Sequence, residues 1–295
     1  MKCRCVTGEG RMTMNGKLYL CATPIGNLED ITFRVLRILK EVDIIGAEDT
    51  RNSIKLLNHF QINTPMTSYH EYNKIEKARY LVGLMLEGKN VALITDAGTP
   101  GISDPGEELV RQCIEAGIEV TSLPGPVACV TALTMSGLPT RRFCFEAFLP
   151  QDKKERKAIL EELKEESRTI VIYEAPHRLL KTLIQLRDTI GNRKISVCKE
   201  LTKRYENSSL GYIEDFIRLY TEEQPRGEYV LVIEGKNISQ KQKEKQEEWS
   251  NMPIEEHIKL YVEKGVTEKE AVKLVAKDRG VPKRDIYNYM VERKD

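Results

Sequence analysis

Three short segments place glycine, proline and small polar residues directly after apolar runs. They are Pro24-Ile25-Gly26-Asn27, Thr95 to Ser103 within LITDAGTPGISDPG (93–106), and Pro124-Gly125-Pro126. Glycine and proline in such places fix backbone shapes that leave N–H and C=O groups pointing outward instead of into a ladder, so each segment can grip a small molecule through its main chain. All three carry little charge. Together they suit one compact ligand, and a neutral or zwitterionic adenosine-containing cofactor fits them better than a polyphosphate. A further charged segment, Glu48-Asp49-Thr50-Arg51, closes another apolar run. Charges at a strand's carboxyl end lie where open α/β sheets bind ligands, and they equally suit a helix N-terminus. No Walker phosphate loop, HExxH, GxSxG or GxGxxG occurs, which removes the usual NTPase, zinc-protease, hydrolase and dinucleotide readings.

The elements that must position these loops alternate along the chain. Lys17 to Thr23, Ile44 to Ala47, Met66 to Asn73 (a short strand and loop carrying Tyr69, His70 and Glu71), Val91 to Ile94, Val120 to Leu123 and Arg142 to Phe148 read as strands. A helix is expected after Asn27, which pairs with Asp30 as a cap, with Ile31, Val35, Ile38, Leu39 and Val42 on one apolar face. Asp104 is expected to cap another, with Pro105 in its first turn and Leu109, Val110, Cys113 and Ile114 at helical spacing. A small-residue helix from about Val127 to Ser136 follows the third loop. Beyond a boundary at Leu149-Pro150, Arg168 to Glu174, Lys194 to Leu201, Tyr205 to Ile213 and Glu228 to Glu234 read as extended, with helices at His177 to Ile190 and Glu214 to Tyr220. From Pro253 the pattern is purely helical. Thr267 with Glu270 forms a capping box, Gly280 ends that helix, and Pro282-Lys283-Arg284-Asp285 opens the next, a helix-turn-helix pattern.

The expected division is therefore a tail at 1–16 that is disordered or non-native, an α/β domain at 17–148, a second α/β domain at 149–235, a linker at 236–252 and a helical domain at 253–295. With 46 basic and 45 acidic residues the chain carries a net charge of +1, so contact with a polyanion has to come from local patches. Two stand out. Lys153, Lys154, Arg156 and Lys157 crowd the start of a helix, where bases are disfavoured by the dipole, and Lys283 with Arg284 starts another. Both are candidate RNA contacts. The seven cysteines are an odd number and mostly scattered singly, as reduced thiols of a cytosolic protein are, and Cys3-x-Cys5 has no second ligand pair nearby, so no metal site is expected. No apolar run approaches the ~20 residues of a membrane span, and the amino terminus lacks the apolar core of a signal peptide. The expected setting is the cytoplasm, with no membrane contact.

TPIGNLEDIT (23–32), EDTR (48–51), ITDAGTPGISDPG (94–106), LPGP (123–126), FLP (148–150), YEAPHRL (173–179), KELTK (199–203) and GEYVLVIEG (227–235) together closely resemble the tetrapyrrole methylase superfamily, in its RNA-modifying branch. The resemblance spans residues 17 to 235 and continues into the carboxyl-terminal helices. It implies two α/β domains with S-adenosylmethionine (SAM) in the cleft between them, a small all-α helix-turn-helix-like domain, a homodimer, and 2′-O-methylation of a cytidine ribose in the decoding region of 16S rRNA. The implied cofactor site is Pro24 and Ile25, then Asp96, Ala97, Gly98, Thr99 and Ile102, then Gly125 and Pro126, with Tyr173, Leu201 and Tyr229 from the second domain. Superfamily members acting on tetrapyrroles usually carry Gly-Asp-Pro where this chain has Gly98-Thr99-Pro100, which counts against a porphyrin-type substrate. Attack by a ribose hydroxyl calls for alignment and a proton acceptor but no metal. The candidates are Glu48, Asp49, Asp96, Lys199 and Glu200, with Lys199 and Glu200 ranked first and an ion pair that merely shapes the loop as their alternative role. Two other functions stay open on sequence: methylation of a tetrapyrrole or other small molecule, and a non-catalytic RNA-binding role in ribosome assembly.

Overall fold

The computed structural model describes residues 15–237, 249 and 251–291. The expected tail at 1–16 falls outside the described residues as far as residue 14, as do Cys3 and Cys5, and so do 238–248 and 250 of the expected linker. Gly16 is anchored, its N–H donating to the Met85 carbonyl at 2.8 Å.

The first sheet is wholly parallel. It contains β1 (Lys17–Cys21), β2 (Ile44–Ala47), β3 (Met66–Ser68), β4 (Val91–Ile94) and β5 (Glu119–Leu123), in the order β3-β2-β4-β1-β5. The connecting helices are α1 (Phe33–Glu41), α2 (Thr50–His59), α3 (Lys74–Leu86) and α4 (Gly106–Glu115). Period-2 alternation divides the strand residues between two cores. Val91, Leu93, Leu18 and Leu20 face Leu81, Leu109 and Cys113 on one side, while Ala92, Ile94 and Ile45 face Val35, Ile38 and Leu39 on the other. Burial on both faces is why VALI shows no polar alternation.

The helix expected from Asn27 starts later. Asn27 accepts a hydrogen bond from the Glu29 N–H and holds a single 3-10 turn, Leu28–Asp30, after which Ile31 is extended. Thr32 caps α1 through the Val35 N–H. The five apolar residues predicted for that face nevertheless all enter one core. Similarly α4 begins at Gly106, with Pro105 in the cap position, and Asp104 accepts from the N–H groups of Gly101, Ile102 and Gly106.

The second sheet is mixed. Its strands are β6 (Phe143–Phe148), β7 (Thr169–Glu174), β8 (Lys194–Lys199), β9 (Asn207–Tyr212) and β10 (Tyr229–Ile233), in the order β6-β7-β10-β8-β9. Helices α6 (Lys153–Lys164), α7 (Pro176–Ile190) and α8 (Ile213–Glu222) cover one face around Ile172, Leu183, Val197 and Leu231. The other face is covered by α5 (Ala128–Met135), whose Cys129, Ala132 and Leu133 pack on Val171, Cys198, Val230 and Val232. Since α5 leaves the first sheet through the third loop and docks on the second, it fixes the two sheets about that loop. Ile25, from the first loop, joins the same core.

These two sheets form one compact unit. A second unit joins Lys164–Arg168 to the chain from Gly235 onward. Within it, α9 (Ile254–Glu263), α10 (Glu268–Arg279) and α11 (Lys283–Val291) enclose Ile258, Ala271, Val272, Val275 and Ile286. Gly280, at φ 67, ends α10 in the left-handed conformation that glycine adopts without penalty. Thr267 occupies the cap position of α10, but its hydroxyl bonds the Glu270 carboxylate at 2.9 Å instead of the backbone.

Candidate active site

The three loops are sewn together by their own main chain. Thr23 and Gly98 exchange two backbone hydrogen bonds of 2.9 and 3.0 Å, the Thr23 hydroxyl donates to the Thr95 carbonyl, and the Thr99 hydroxyl donates to the Pro126 carbonyl at 3.0 Å. Gly98 holds φ +88, a region open to glycine, and a Cβ there would meet Ile25 at 3.3 Å. Gly125 lies so close to Ala22 that an added Cβ would stand 2.4 Å from the alanine methyl. Small residues are required here by contact.

Over these loops lies a cavity of about 390 Å³. Of the twelve residues predicted for the cofactor, Ile25, Ala97, Gly98, Thr99, Ile102, Tyr173, Leu201 and Tyr229 line it. Pro24, Asp96, Gly125 and Pro126 do not, although the Pro126 carbonyl holds the lining residue Thr99 through its hydroxyl. Sequence reading missed Val127, Ala128, Phe148, Glu174, Ala175, Pro176, Glu228 and Val230. Motif position could have signalled several, since Phe148 opens FLP and Glu174 to Pro176 follow Tyr173 in YEAPHRL. The Tyr173 hydroxyl accepts from the Cys129 N–H at 3.0 Å, tying β7 to the first turn of α5, and burial pushes that phenol well above its ordinary range. Among the described residues no lysine or arginine lines the cavity. Its two acids, Glu228 and Glu174, are paired with Lys203 at 2.8 Å and with Arg178 and Arg156, which leaves none of these cations to a phosphate.

Glu174 is fully buried and fastened on every side. Its carboxylate meets Arg178 Nε at 3.2 Å and Arg156 at 3.9 Å, and it accepts from the Ala175 N–H and the Thr182 hydroxyl. Arg178 in turn donates to the Leu149 carbonyl. This overturns one RNA-contact expectation. Arg156 is only 7% exposed, donating to Gln185 Oε1 and Thr182 Oγ1 at 2.7 Å each, because the i, i+4 spacing that carries Leu160 into the core carries Arg156 inward too. Lys153, Lys154 and Lys157 are exposed, as are Lys283 and Arg284 at the start of α11.

The residues ranked first as proton acceptors do not line the cavity themselves but adjoin residues that do. Lys199 ends β8 opposite Tyr229. The Glu200 carboxylate pairs not with it but with Lys203 at 3.0 Å, and also accepts from the Glu228 N–H at 2.9 Å. Burial opposes the charge of Glu200, yet these bonds outweigh it and hold the acid below its usual range, which makes it a poor base. It shapes the loop that presents Leu201, where Glu200 and Thr202 themselves hold φ 51 and 64. The Asp49 side chain caps α2 through the Arg51 N–H and pairs with Arg51 at 2.9 Å, while Glu48 accepts from the Thr95 hydroxyl. Asp96 differs. It lies at the surface next to the cavity-lining Ala97 and accepts from the Asp49 N–H at 3.2 Å, yet partial desolvation of its carboxylate and the neighbouring Glu48 raise it above the ordinary carboxylate range.

A family model for tetrapyrrole (corrin/porphyrin) methylases matches residues 17–216. The ribosomal RNA small subunit methyltransferase I of Halalkalibacterium halodurans is 50% identical over 273 residues, 92% of this chain and 94% of that protein. Its namesake from Bacillus subtilis is 47% identical over 283 residues, 94% and 97% of the two chains. The chain belongs to the tetrapyrrole methylase family. Among solved structures, diphthine synthase superposes with a TM-score of 0.58 at 12% identity, over 74% of this chain and 90% of that one. Uroporphyrin-III-C-methyltransferase from Thermus thermophilus gives 0.53 at 22% identity, over 74% and 94%. At such identities the likeness is one of fold. This tetrapyrrole methylase is a SAM-dependent methyltransferase. The cavity fits that cofactor: its volume lies in the small-molecule range of about 300–1,000 Å³, its walls are aliphatic and aromatic, its floor is loop backbone, and it presents no base that would select phosphate. No helix among the described residues is long and apolar enough to cross a membrane.

Proposed function

We propose that this methyltransferase modifies small-subunit ribosomal RNA, methylating the 2′-hydroxyl of a cytidine in the decoding region of 16S rRNA. The observation that carries the reading is the relatives' shared name at up to 50% identity over most of both chains. Gly98-Thr99-Pro100 in place of Gly-Asp-Pro and the exposed bases of α6 and α11 agree with an RNA acceptor. When bound, SAM supplies an electrophilic methyl group. The chain has to hold it, exclude water and align the acceptor. Backbone groups of residues 97–99 with Ile25, Ile102 and the second-sheet residues Tyr173, Leu201 and Tyr229 form the holding site, and Pro24, Gly125 and Pro126 keep it in shape. Asp96 is assigned the proton of the attacking hydroxyl, because it adjoins the lining and binds a proton more readily than an ordinary carboxylate, whereas the lining acids Glu174 and Glu228 are held in ion pairs with Arg178 and Lys203. Lys153, Lys154 and Lys157 on α6 and Lys283 and Arg284 on α11 meet RNA phosphates. The protein works in the cytoplasm as a homodimer, for which Val130 and Met135 of α5 and Leu210 of β9 offer exposed apolar surface.

The test is to incubate the protein and SAM with unmethylated 30S subunits, free 16S rRNA and a tetrapyrrole precursor in parallel, then digest the RNA and identify nucleosides by mass spectrometry. Formation of 2′-O-methylcytidine at one site is expected. Methyl transfer only to the tetrapyrrole would replace this reading.

A further inference from the structure

We propose that the ring of Phe148 is the stacking platform for the nucleobase of the acceptor nucleotide, an inference that rests on the RNA reading above. The path of β6 sets the position of that ring. Phe145 pairs with Val171 and Phe148 with Tyr173, so a step of three residues on β6 faces a step of two on β7, and one residue is extra. Within that bulge Ala147 holds φ 49, a conformation that a residue with a Cβ adopts only under constraint. In a regular strand, residues three apart point to opposite faces of the sheet. The bulge reverses this. Both Phe145 and Phe148 turn to the same side, meeting the Tyr173 ring edge-on with centroids 4.9 and 5.6 Å away. Bulges recur beside active sites because they re-aim a side chain in this way.

The two phenylalanines then differ. Phe145 is partly buried in the core beneath the cavity. Phe148 lines the cavity and is still 52% exposed, so its ring stands where the cavity meets solvent. Packing does not require it there, and a strained residue holds it there. The chemistry around it selects what can cover it. The cations nearest the lining are engaged by its acids, Arg178 and Arg156 by Glu174 and Lys203 by Glu228 at 2.8 Å, so no cation is presented to a phosphate at this point. A base needs none. Every nucleobase has a π-face, and RNA is read chiefly where unpaired bases splay out and stack on aromatic side chains. Stacking one base on Phe148 would bring its ribose over the opening of the cavity, while phosphates are left to the lysines outside.

The experiment uses the full chain with Phe148→Ala, Phe148→Leu and Phe148→Trp. Calorimetry gives the SAM dissociation constant, and steady-state transfer to unmethylated 30S subunits gives kcat/KM for the acceptor. Loss of one stacked base is worth a factor of about 5 to 150. Both Phe148→Ala and Phe148→Leu should lower acceptor kcat/KM in that range with SAM affinity within about twofold of the parent, and Phe148→Trp should restore it. The leucine variant keeps apolar bulk, so a fall there is not a folding defect. Unchanged acceptor kinetics in the leucine and alanine variants, or a loss confined to SAM affinity, overturns the assignment while leaving the RNA reading intact. No transfer to RNA by the parent protein overturns both.

Discussion

Gly125 offers the sharpest perturbation of the cofactor site, because one added methyl group has one identifiable obstacle. A Cβ at residue 125 would lie 2.4 Å from the Ala22 methyl, whereas real Cβ atoms essentially never come within 3.0 Å. In Gly125→Ala the third loop and the end of β1 must therefore part by at least 0.6 Å, the gap between those two distances. Overpacking of this kind costs about 1–3 kcal/mol. For a unit of this size that lowers the melting midpoint by roughly 2 to 12 °C. The same parting drags Pro126 from the Thr99 hydroxyl and spoils the floor of the cavity, so SAM binding, read by calorimetry, should weaken at least tenfold, equivalent to about 1.4 kcal/mol. The decisive variant is the pair. Ala22→Gly removes the obstacle and leaves the Ala22 Cα, 3.7 Å from the new methyl, as the nearest atom of that residue. Although Ala22→Gly alone costs about 0.5–1 kcal/mol, the double variant should recover most of the SAM affinity and stability lost in Gly125→Ala. A coupling of about 1–3 kcal/mol is expected for residues in direct contact. If the two penalties simply add, the contact between β1 and the third loop is not what requires glycine.

Other expectations follow from the same geometry. Arg156→Ala should lower stability by about 1–3 kcal/mol, read by urea unfolding, because it leaves the buried Gln185 and Thr182 oxygens without their donor while Glu174 keeps Arg178. Glutamine at Lys153, Lys154 and Lys157 should leave the melt unchanged and flatten the salt dependence of RNA binding, by about one unit of log–log slope per lost phosphate contact. Asp96→Asn should lower single-turnover methylation about 10²- to 10⁴-fold and remove the acidic limb of the pH–rate profile, with SAM affinity nearly kept. Glu166 is hydrogen-bonded by Arg168 at 3.0 and 2.6 Å and held down to about 2 from an ordinary 4.5. Its pair is therefore fully present above pH 4.5 and is lost as pH falls toward 2, so Glu166→Gln should flatten the acid side of the stability curve in that window.

Much of this was legible in the residues, for physical reasons that differ by element. The strands of the first sheet were plain because burial on both faces leaves runs such as VALI uninterrupted, and the three loops because glycine and proline mark turns by their own geometry. The true start of α1 was not, since Asn27 and Thr32 are both good caps and only the 3-10 turn between them decides which one is used. Arg156 misled because KKERK puts four bases within five residues, while the partners that hold Arg156 inward, Thr182 and Gln185, are distant in sequence. The pairing of Glu200 with Lys203 in place of Lys199 turns on the left-handed backbone at Glu200, which periodicity does not reveal. Phe148 escaped notice because a bulge, one residue of extra length, changed the face it occupies.

The most direct measurement is a pulse–chase of one turnover. The protein is loaded with methyl-tritiated SAM, mixed with unmethylated 30S subunits and a large excess of unlabelled SAM, and stopped after one cycle. Bound SAM in the three-loop cavity should pass its label to 16S rRNA before it exchanges, and Gly125→Ala should abolish the trapped counts while Ala22→Gly combined with Gly125→Ala restores them. Label that is wholly diluted by the chase, or trapped equally by Gly125→Ala, would contradict the assignment of that cavity as the site from which ribosomal RNA is methylated.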